Sequence, residues 1–316
     1  MTRYLRHCGY TIGVLNPLIT NRLRETQLRQ TKTDKIDARV TTQALMLNLH
    51  QTFSENTYDE LKKASRMRIA WIHERSKLKV DIVNFLDTLF PEYAEYFKNA
   101  IHSKLSYHIL LKYTSAQEIA SARIDGLSNR FITSHKNRNP FDLKALAKSS
   151  IGSHSDILVF QLKATIERII FINTQIKKLE AYIAAQLQLI DSPILTIPGI
   201  SNILAATILG EIGDISKFST PSKIIAFAGL NPRKYQSGQY DSGSLPLSKR
   251  GSRSLRYALF QAAQMIWRFD PTFNNYYQRK KNAGKHHFVV IGHITHKLVN
   301  VIFHLLTTNS SFVKGY

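Results

Sequence analysis

Two carboxylates three residues apart open the chemistry. In "TKTDKIDARV" Asp34 and Asp37 stand among Lys32, Lys35 and Arg39. Residues i and i+3 are neighbours on a helix surface, so two like charges there repel unless cations neutralise them or a metal ion shares them. Oxygen ligands of this kind suit a hard cation such as Mg²⁺. The other reading is a salt-bridged helix face.

A second candidate lies far downstream. "NPRKYQSGQYDSGSLPLSKRGSRSLR" sets Ser237 in a glycine- and serine-rich loop between Arg233 and Lys234 on one side and Lys249, Arg250, Arg253 and Arg256 on the other. Cations on such a loop suit phosphate contact; a solvated hairpin is the plainer alternative. Ser242, Ser244 and Ser248 share the loop, and no physical feature separates them from Ser237; Tyr235 and Tyr240 flank it as alternative nucleophiles, with packing or base stacking the plainer reading. A third candidate is Gly199 in "LTIPGISNILAATILGEIGD", a helix-hairpin-helix-like pattern in which backbone N–H groups at a helix start can hold a phosphate; a simple αα-turn with Gly199 as its hinge is the plainer alternative. His286, His287, His293 and His296 cluster near the end of the chain without nearby carboxylates or cysteines, which argues against a metal centre.

The charge balance names the partner. Forty-three Lys and Arg against 22 acids leave a formal charge of +21, a surface that draws polyanions, nucleic acid first. Cys8 is the only cysteine, so neither an intrachain disulfide nor a cysteine zinc knuckle is available. With no apolar run of membrane-spanning length and no signal-peptide core at the start, the expectation is a cytoplasmic chain without a membrane.

The elements that must position these residues are mostly helical, with a small α/β part. A short strand is expected in "YTIGVL", closed by Asn16-Pro17, and a loosely periodic helix follows from Asn21 to Leu49. Residues 58–90 read as one amphipathic helix ended by Pro91. Leu162, Ile166, Ile169, Ile172, Ile176, Leu179, Ile183, Leu187 and Ile190 form a coiled-coil-like seam that needs a partner, either another chain or the 58–90 helix folded back; another copy is the favoured partner. Asp191-Ser192-Pro193 then breaks the helix. The expected domains are 1–57, a helical region 58–157, the coiled-coil helix 158–192, and 193–316, in which Leu255, Leu259, Ala262, Ala263 and Ile266 stripe a final helix.

The pairing of "KTDKIDAR" with a downstream "IPGI…GEIGDISKF…AFAGLNP…QSG…SKRG…LRYAL" resembles the DEDD-type insertion-sequence transposases of the IS-one-ten group, over nearly the whole chain. The resemblance implies a ribonuclease H-like (Holliday-resolvase-like) first domain whose four acids bind divalent metal, and a helical second domain with a reactive serine. It maps two of the acids onto Asp34 and Asp37 and the serine onto Ser237. The other two, an aspartate and a glutamate, belong before the strand and hence before Met1, so the expectation is an N-terminally truncated member whose Mg²⁺ site is incomplete. The implied activity is cutting and rejoining DNA, with a guide RNA used by relatives and a homo-oligomer, dimer or tetramer, joined through the coiled coil. The alternative is a catalytically inactive, nucleic-acid-binding remnant of such a transposase.

Overall fold

Helices dominate the computed structural model, which describes residues 2–26, 33–52, 56–131, 138–233, 236–237, 240–241 and 246–315. The chain forms two units, Met1–Thr57 and Tyr58–Tyr316.

The first unit runs α1 (Thr2–His7), β1 (Gly13–Val14), α2 (Pro17–Glu25), α3 (Asp34–Met46) and β2 (Gln51–Thr52). β1 and β2 pair antiparallel, Gly13 opposite Thr52 and Val14 opposite Gln51. The expected strand is therefore two residues long, and the Asn16-Pro17 stop is instead the start of α2. Proline suits that first helical position, because its missing N–H has no intrahelical acceptor to lose. Where one loose helix was expected from Asn21 to Leu49, the structure has the end of α2 and all of α3. Val40 and Ala44 of α3 are fully buried.

The second unit begins with α4 (Asp59–Leu89), matching the expected amphipathic helix, and continues through α5 (Glu92–Phe97), α6 (Lys104–Lys112), α7 (Ala116–Ser121), α8 (Ile124–Phe131) and α9 (Pro140–Lys148) to α10 (Asp156–Ile190). Pro91 does follow the end of α4, but as the residue that caps α5. α4 and α10 pack along their lengths and run antiparallel. Arg68 Nε donates to Glu180 Oε1 at 2.6 Å and Arg75 Nη1 to Asn173 Oδ1 at 2.8 Å, so numbers fall on one helix as they rise on the other. Arg168 and Glu74 add a third polar tie.

This pairing corrects the expected partner of the seam. Leu162, Ile166, Ile169, Ile172, Ile176, Ile183 and Leu187 are buried within this unit, with α4 as the helix packed along α10. Each such side chain contributes about 1.5–3 kcal/mol when taken from water. A partner helix at the right separation already exists in the chain, and the seam is not left for a second copy.

The α4–α10 pair runs through two cores. One gathers Leu78, Ile82, Leu86 and Leu89 of α4 and Leu162 to Ile176 of α10 with Tyr93, Phe97, Ile109, Leu127 and Leu143 of the intervening short helices. The other joins Leu61, Ala64, Ile183 and Leu187 to α11 (Asn202–Ile212), α12 (Pro221–Ala228), α13 (Arg253–Phe269), α14 (Pro271–Asn282) and α15 (His287–Thr308). Between α12 and α13 lie β3 (Gln236–Ser237) and β4 (Tyr240–Asp241). The stripe expected on α13 is buried at Leu255, Leu259, Ala262, Ala263 and Ile266.

α15 corrects the statement that no run is long enough for a bilayer, since its length and hydropathy would suffice. Here its apolar side faces protein: Val290, Ile291, Ile294, Leu298, Val299 and Ile302 are completely buried in the second core.

Candidate functional site

The carboxylate pair sits at the start of α3. Thr33 caps the helix, its side chain accepting from the Ile36 N–H at 3.3 Å, which places Asp34 and Asp37 in the first turn. Negative charge is favoured there by the exposed N–H groups and the helix dipole. Asp34, Lys35 and Arg39 are exposed; Asp37 is half-buried and accepts a 2.5 Å bond from Arg24 Nη2 of α2. Lys32 lies outside the described residues. Among the described residues no three His, Cys, Asp or Glu side chains gather in a metal-binding group. The donor chemistry fits a hard cation, which Mg²⁺ sites with one or two carboxylates complete from water and substrate phosphates. Arg24 is the competitor already bound to Asp37.

The serine segment is built as a hairpin rooted in the second core. From α12 the chain turns at Gly229 in the left-handed region (φ 69°), and the two arms then cross-bond: Lys249 N donates to Gly229 O at 3.1 Å, Ser248 N to Asn231 O at 2.8 Å and Arg233 N to Pro246 O at 3.0 Å. Farther out, β3 and β4 pair antiparallel, with Ser237 opposite Tyr240 and Gln236 opposite Asp241. Lys234, Tyr235, Ser242 and Ser244 lie outside the described residues; Ser248 is one of the ladder residues.

Two glycines allow the root to close. A Cβ on Gly251 would stand 2.2 Å from the Phe227 carbonyl oxygen, and one on Gly229 3.0 Å from the backbone of Arg250 and 2.9 Å from the Arg256 guanidinium. Only a residue without a side chain permits backbone to approach backbone this closely. Arg256 Nη1 donates to the Ala228 carbonyl at 2.7 Å, so this half-buried arginine caps the end of α12. Burial, and then the charge of Arg253, lower its pKa. Arg233, Lys249, Arg250 and Arg253 are exposed around the same hairpin.

A buried carboxylate that the sequence reading did not single out ties this root to α4. Glu211 is 3 % exposed; it accepts from Arg66 Nε at 2.6 Å, Arg66 Nη2 at 3.0 Å and the Ser252 hydroxyl at 2.8 Å. Burial alone would raise its pKa, but the bonds from Arg66 and Ser252 hold it below the ordinary carboxylate range. Ser252 in turn caps α13 by accepting from the Leu255 N–H at 3.1 Å. The signal was present in "ILGEIGD": a lone acid inside an apolar helix is seldom buried without a partner.

Gly199 has a left-handed backbone (φ 86°), and a Cβ there would meet Met265 Cβ at 2.7 Å, so the turn between α10 and α11 packs directly on α13. The segment leading to that turn is a 3-10 turn, Pro193–Thr196, and Ala205–Ile212 of α11 are buried throughout. Three of the histidines have separate partners. His286 Nδ1 accepts from the Phe288 N–H that starts α15, His287 Nδ1 pairs with the Tyr277 hydroxyl at 2.9 Å, and His296 Nε2 lies 3.3 Å from the Leu230 carbonyl.

Both candidate regions fall inside stretches shared with known proteins. A family model described as transposase, of the DEDD type named for IS110, matches residues 1–91, and one described as the transposase IS116/IS110/IS902 family matches residues 191–278. The chain belongs to the IS116/IS110/IS902 family of transposases. Among its relatives in this family, the uncharacterized 43.6 kDa protein of insertion element IS110 from Streptomyces coelicolor is 24 % identical over 95 % of this chain and 77 % of its own. The uncharacterized 42 kDa protein of insertion element IS900 from Mycobacterium paratuberculosis is 28 % identical over 58 % of this chain and 48 % of its own. The pilin gene-inverting protein of Moraxella bovis is 32 % identical over 38 % of this chain and 37 % of its own. The transposase match from 191 to 278 contains the whole hairpin, its root and α13; the match from 1 to 91 contains the carboxylate pair.

Proposed function

We propose that this chain cuts and rejoins the DNA of an insertion sequence by phosphoryl transfer, with Ser237 as nucleophile. The single observation that carries this reading is the serine hairpin: a backbone ladder rooted in the larger core, with exposed Arg233 and Lys249 on its arms and exposed Arg250 and Arg253 directly after them. Such cations bind and orient a phosphodiester without reading its bases. The Ser237 oxygen would form a bond to phosphorus as the phosphorus–oxygen bond to the leaving strand breaks; the serine proton is lost to solvent or base, and the leaving oxygen takes up a proton. Attack by a strand hydroxyl on the resulting serine–phosphate ester would rejoin the DNA and return the serine. Asp34 and Asp37 are the residues that would hold Mg²⁺, with Arg24 orienting or yielding Asp37, and Lys32, Lys35 and Arg39 facing phosphates. A divalent ion bound there supplies neutralisation of charge on the phosphate.

The turn at Gly199 and the cations Lys234 and Arg256 belong to the same nucleic-acid surface in this reading, Arg256 through its hold on the hairpin root. A guide RNA is part of it as well, since a charge of +21 suits a second polyanion. Assembly into a dimer or tetramer has to use a surface other than the α4–α10 seam.

The Arg24–Asp37 ion pair favours a second reading, a nucleic-acid-binding chain without strand transfer. A plasmid recombination assay with Mg²⁺, analysed on denaturing gels for protein–DNA adducts, separates the two. The first reading expects an adduct that Ser237→Ala abolishes with DNA binding intact, and that Asp34→Ala and Asp37→Ala suppress. Adduct formation by Ser237→Ala would remove the nucleophile assignment. DNA binding with no adduct from the unsubstituted chain would establish the second reading.

A further inference from the structure

Residues 271–316 contain six Lys and Arg and five His, and not one Asp or Glu. The structure concentrates part of this charge at one place. Lys297 Nζ of α15 lies 4.5 Å from the centroid of the Tyr276 ring, and from α14 the Arg279 guanidinium carbon lies at 5.2 Å and Lys280 Nζ at 5.6 Å. An aromatic face attracts a cation through its quadrupole, which accounts for the ring's hold on each of them. It does not remove their mutual repulsion, because none of the ion pairs among the described residues involves these three side chains.

The same field reaches His293 one turn away, whose pKa is lowered by burial and then by Lys285, Lys280 and His296. His296 ties the cluster to the serine hairpin, since its Nε2 donates to the carbonyl of Leu230, the residue after the Gly229 turn. Arg250 lies with its backbone against the Gly229 turn of that root, and Arg253 is the first residue of α13.

We propose that Arg279, Lys280 and Lys297 around Tyr276 form a second phosphate-backbone site, which grips the nucleic acid beside the hairpin and independently of the hairpin's own cations. The ligand is a run of phosphodiesters, from DNA or RNA. The inference rests on the reading that the chain acts on nucleic acid. An anionic membrane is the less favoured partner, because the apolar side of α15 is committed to the core.

The test is the salt dependence of binding by the full chain, measured with a DNA duplex and with a structured RNA of equal length. Each neutralised phosphate contributes about 0.9 to the slope of log affinity against log salt on duplex DNA. Lys280→Gln/Lys297→Gln should therefore lower the slope by about two, and Lys280→Arg/Lys297→Arg should restore it. Lys104→Gln/Lys148→Gln, which removes two exposed lysines from the other core's helices, should leave the slope unchanged. A loss confined to the DNA arm or to the RNA arm identifies which backbone is held. Equal slopes for the glutamine variant and the unsubstituted chain would overturn this inference while leaving the proposed function standing. An equal loss in the Lys104/Lys148 control would overturn it too, as would binding to phosphatidylserine vesicles that the glutamine variant loses while keeping its nucleic-acid slope. Absence of nucleic-acid binding by the unsubstituted chain would sink both readings.

Discussion

The hairpin that carries Ser237 is rooted by two glycines, a backbone ladder and a buried carboxylate, whereas the helix that carries Asp34 and Asp37 is fixed, among the described residues, by one side-chain cap and one ion pair. The first arrangement draws on a core of some thirty buried side chains from seven helices. Of α3, only Val40 and Ala44 are buried. Groups that must meet a reacting atom within a fraction of an ångström are best held by packed backbone. By that measure the hairpin is a finished support, and the carboxylate helix is held by interactions that a bound ligand or a change of charge can outcompete.

Substitutions at the two places should separate widely. Glu211→Ala leaves Ser252 and the half-exposed Arg66 without their acceptor and should cost the larger unit about 2–3 kcal/mol, the scale for losing hydrogen bonds to a charged group, read as a fall in the urea midpoint. The same residue gives a pH signature. Its folded pKa lies below its unfolded value, so its contribution is present above about pH 4.5 and is lost as pH falls through the folded pKa. Glu211→Gln should flatten that acid limb. Gly251→Ala forces a Cβ onto the Phe227 carbonyl and should cost about 2–3 kcal/mol by the same measurement, with a loss of strand transfer that exceeds any loss of DNA affinity.

Changes at the carboxylate helix should be smaller. Thr33→Ala removes the cap and should cost about 1 kcal/mol, seen as faster amide exchange through the first turn of α3. Arg24→Ala breaks an ion pair with partial solvent access and should cost under about 1 kcal/mol. It should also strengthen Mg²⁺ binding in a calorimetric titration by releasing Asp37. A costly Arg24→Ala, or a harmless Gly251→Ala, would break the contrast between the two supports.

Much of this could be read along the chain because it is periodic. Apolar steps of three and four residues marked α4, α10 and α13, and the i, i+3 spacing did place Asp34 and Asp37 in one turn of a helix. The missed features depend on residues distant in sequence. Glu211 meets Arg66 across 145 residues, and nothing in the period of either helix announces it. Likewise the seam of α10 declares that it needs a partner but not which one; an intrachain helix wins because α4 offers a stripe of matching length. Pro17 and Pro91 read as stops along the sequence because proline cannot continue a helix, although it can equally begin one. β1 eluded a length estimate because two residues are too few for alternation to show. The roles proposed for Asp34, Asp37 and Ser237 rest on the motifs that resemble a family, since loop composition leaves Ser237 level with its neighbours.

α10 passes without interruption from one core of the larger unit into the other. To melt either core, the chain must strip one end of a helix whose remaining turns are still packed against α4, and the cost of that frayed boundary falls on both sides. The short helices between α5 and α9 therefore do not form a separable module. They and the bundle that bears the hairpin should gain and lose order together, as one cooperative transition.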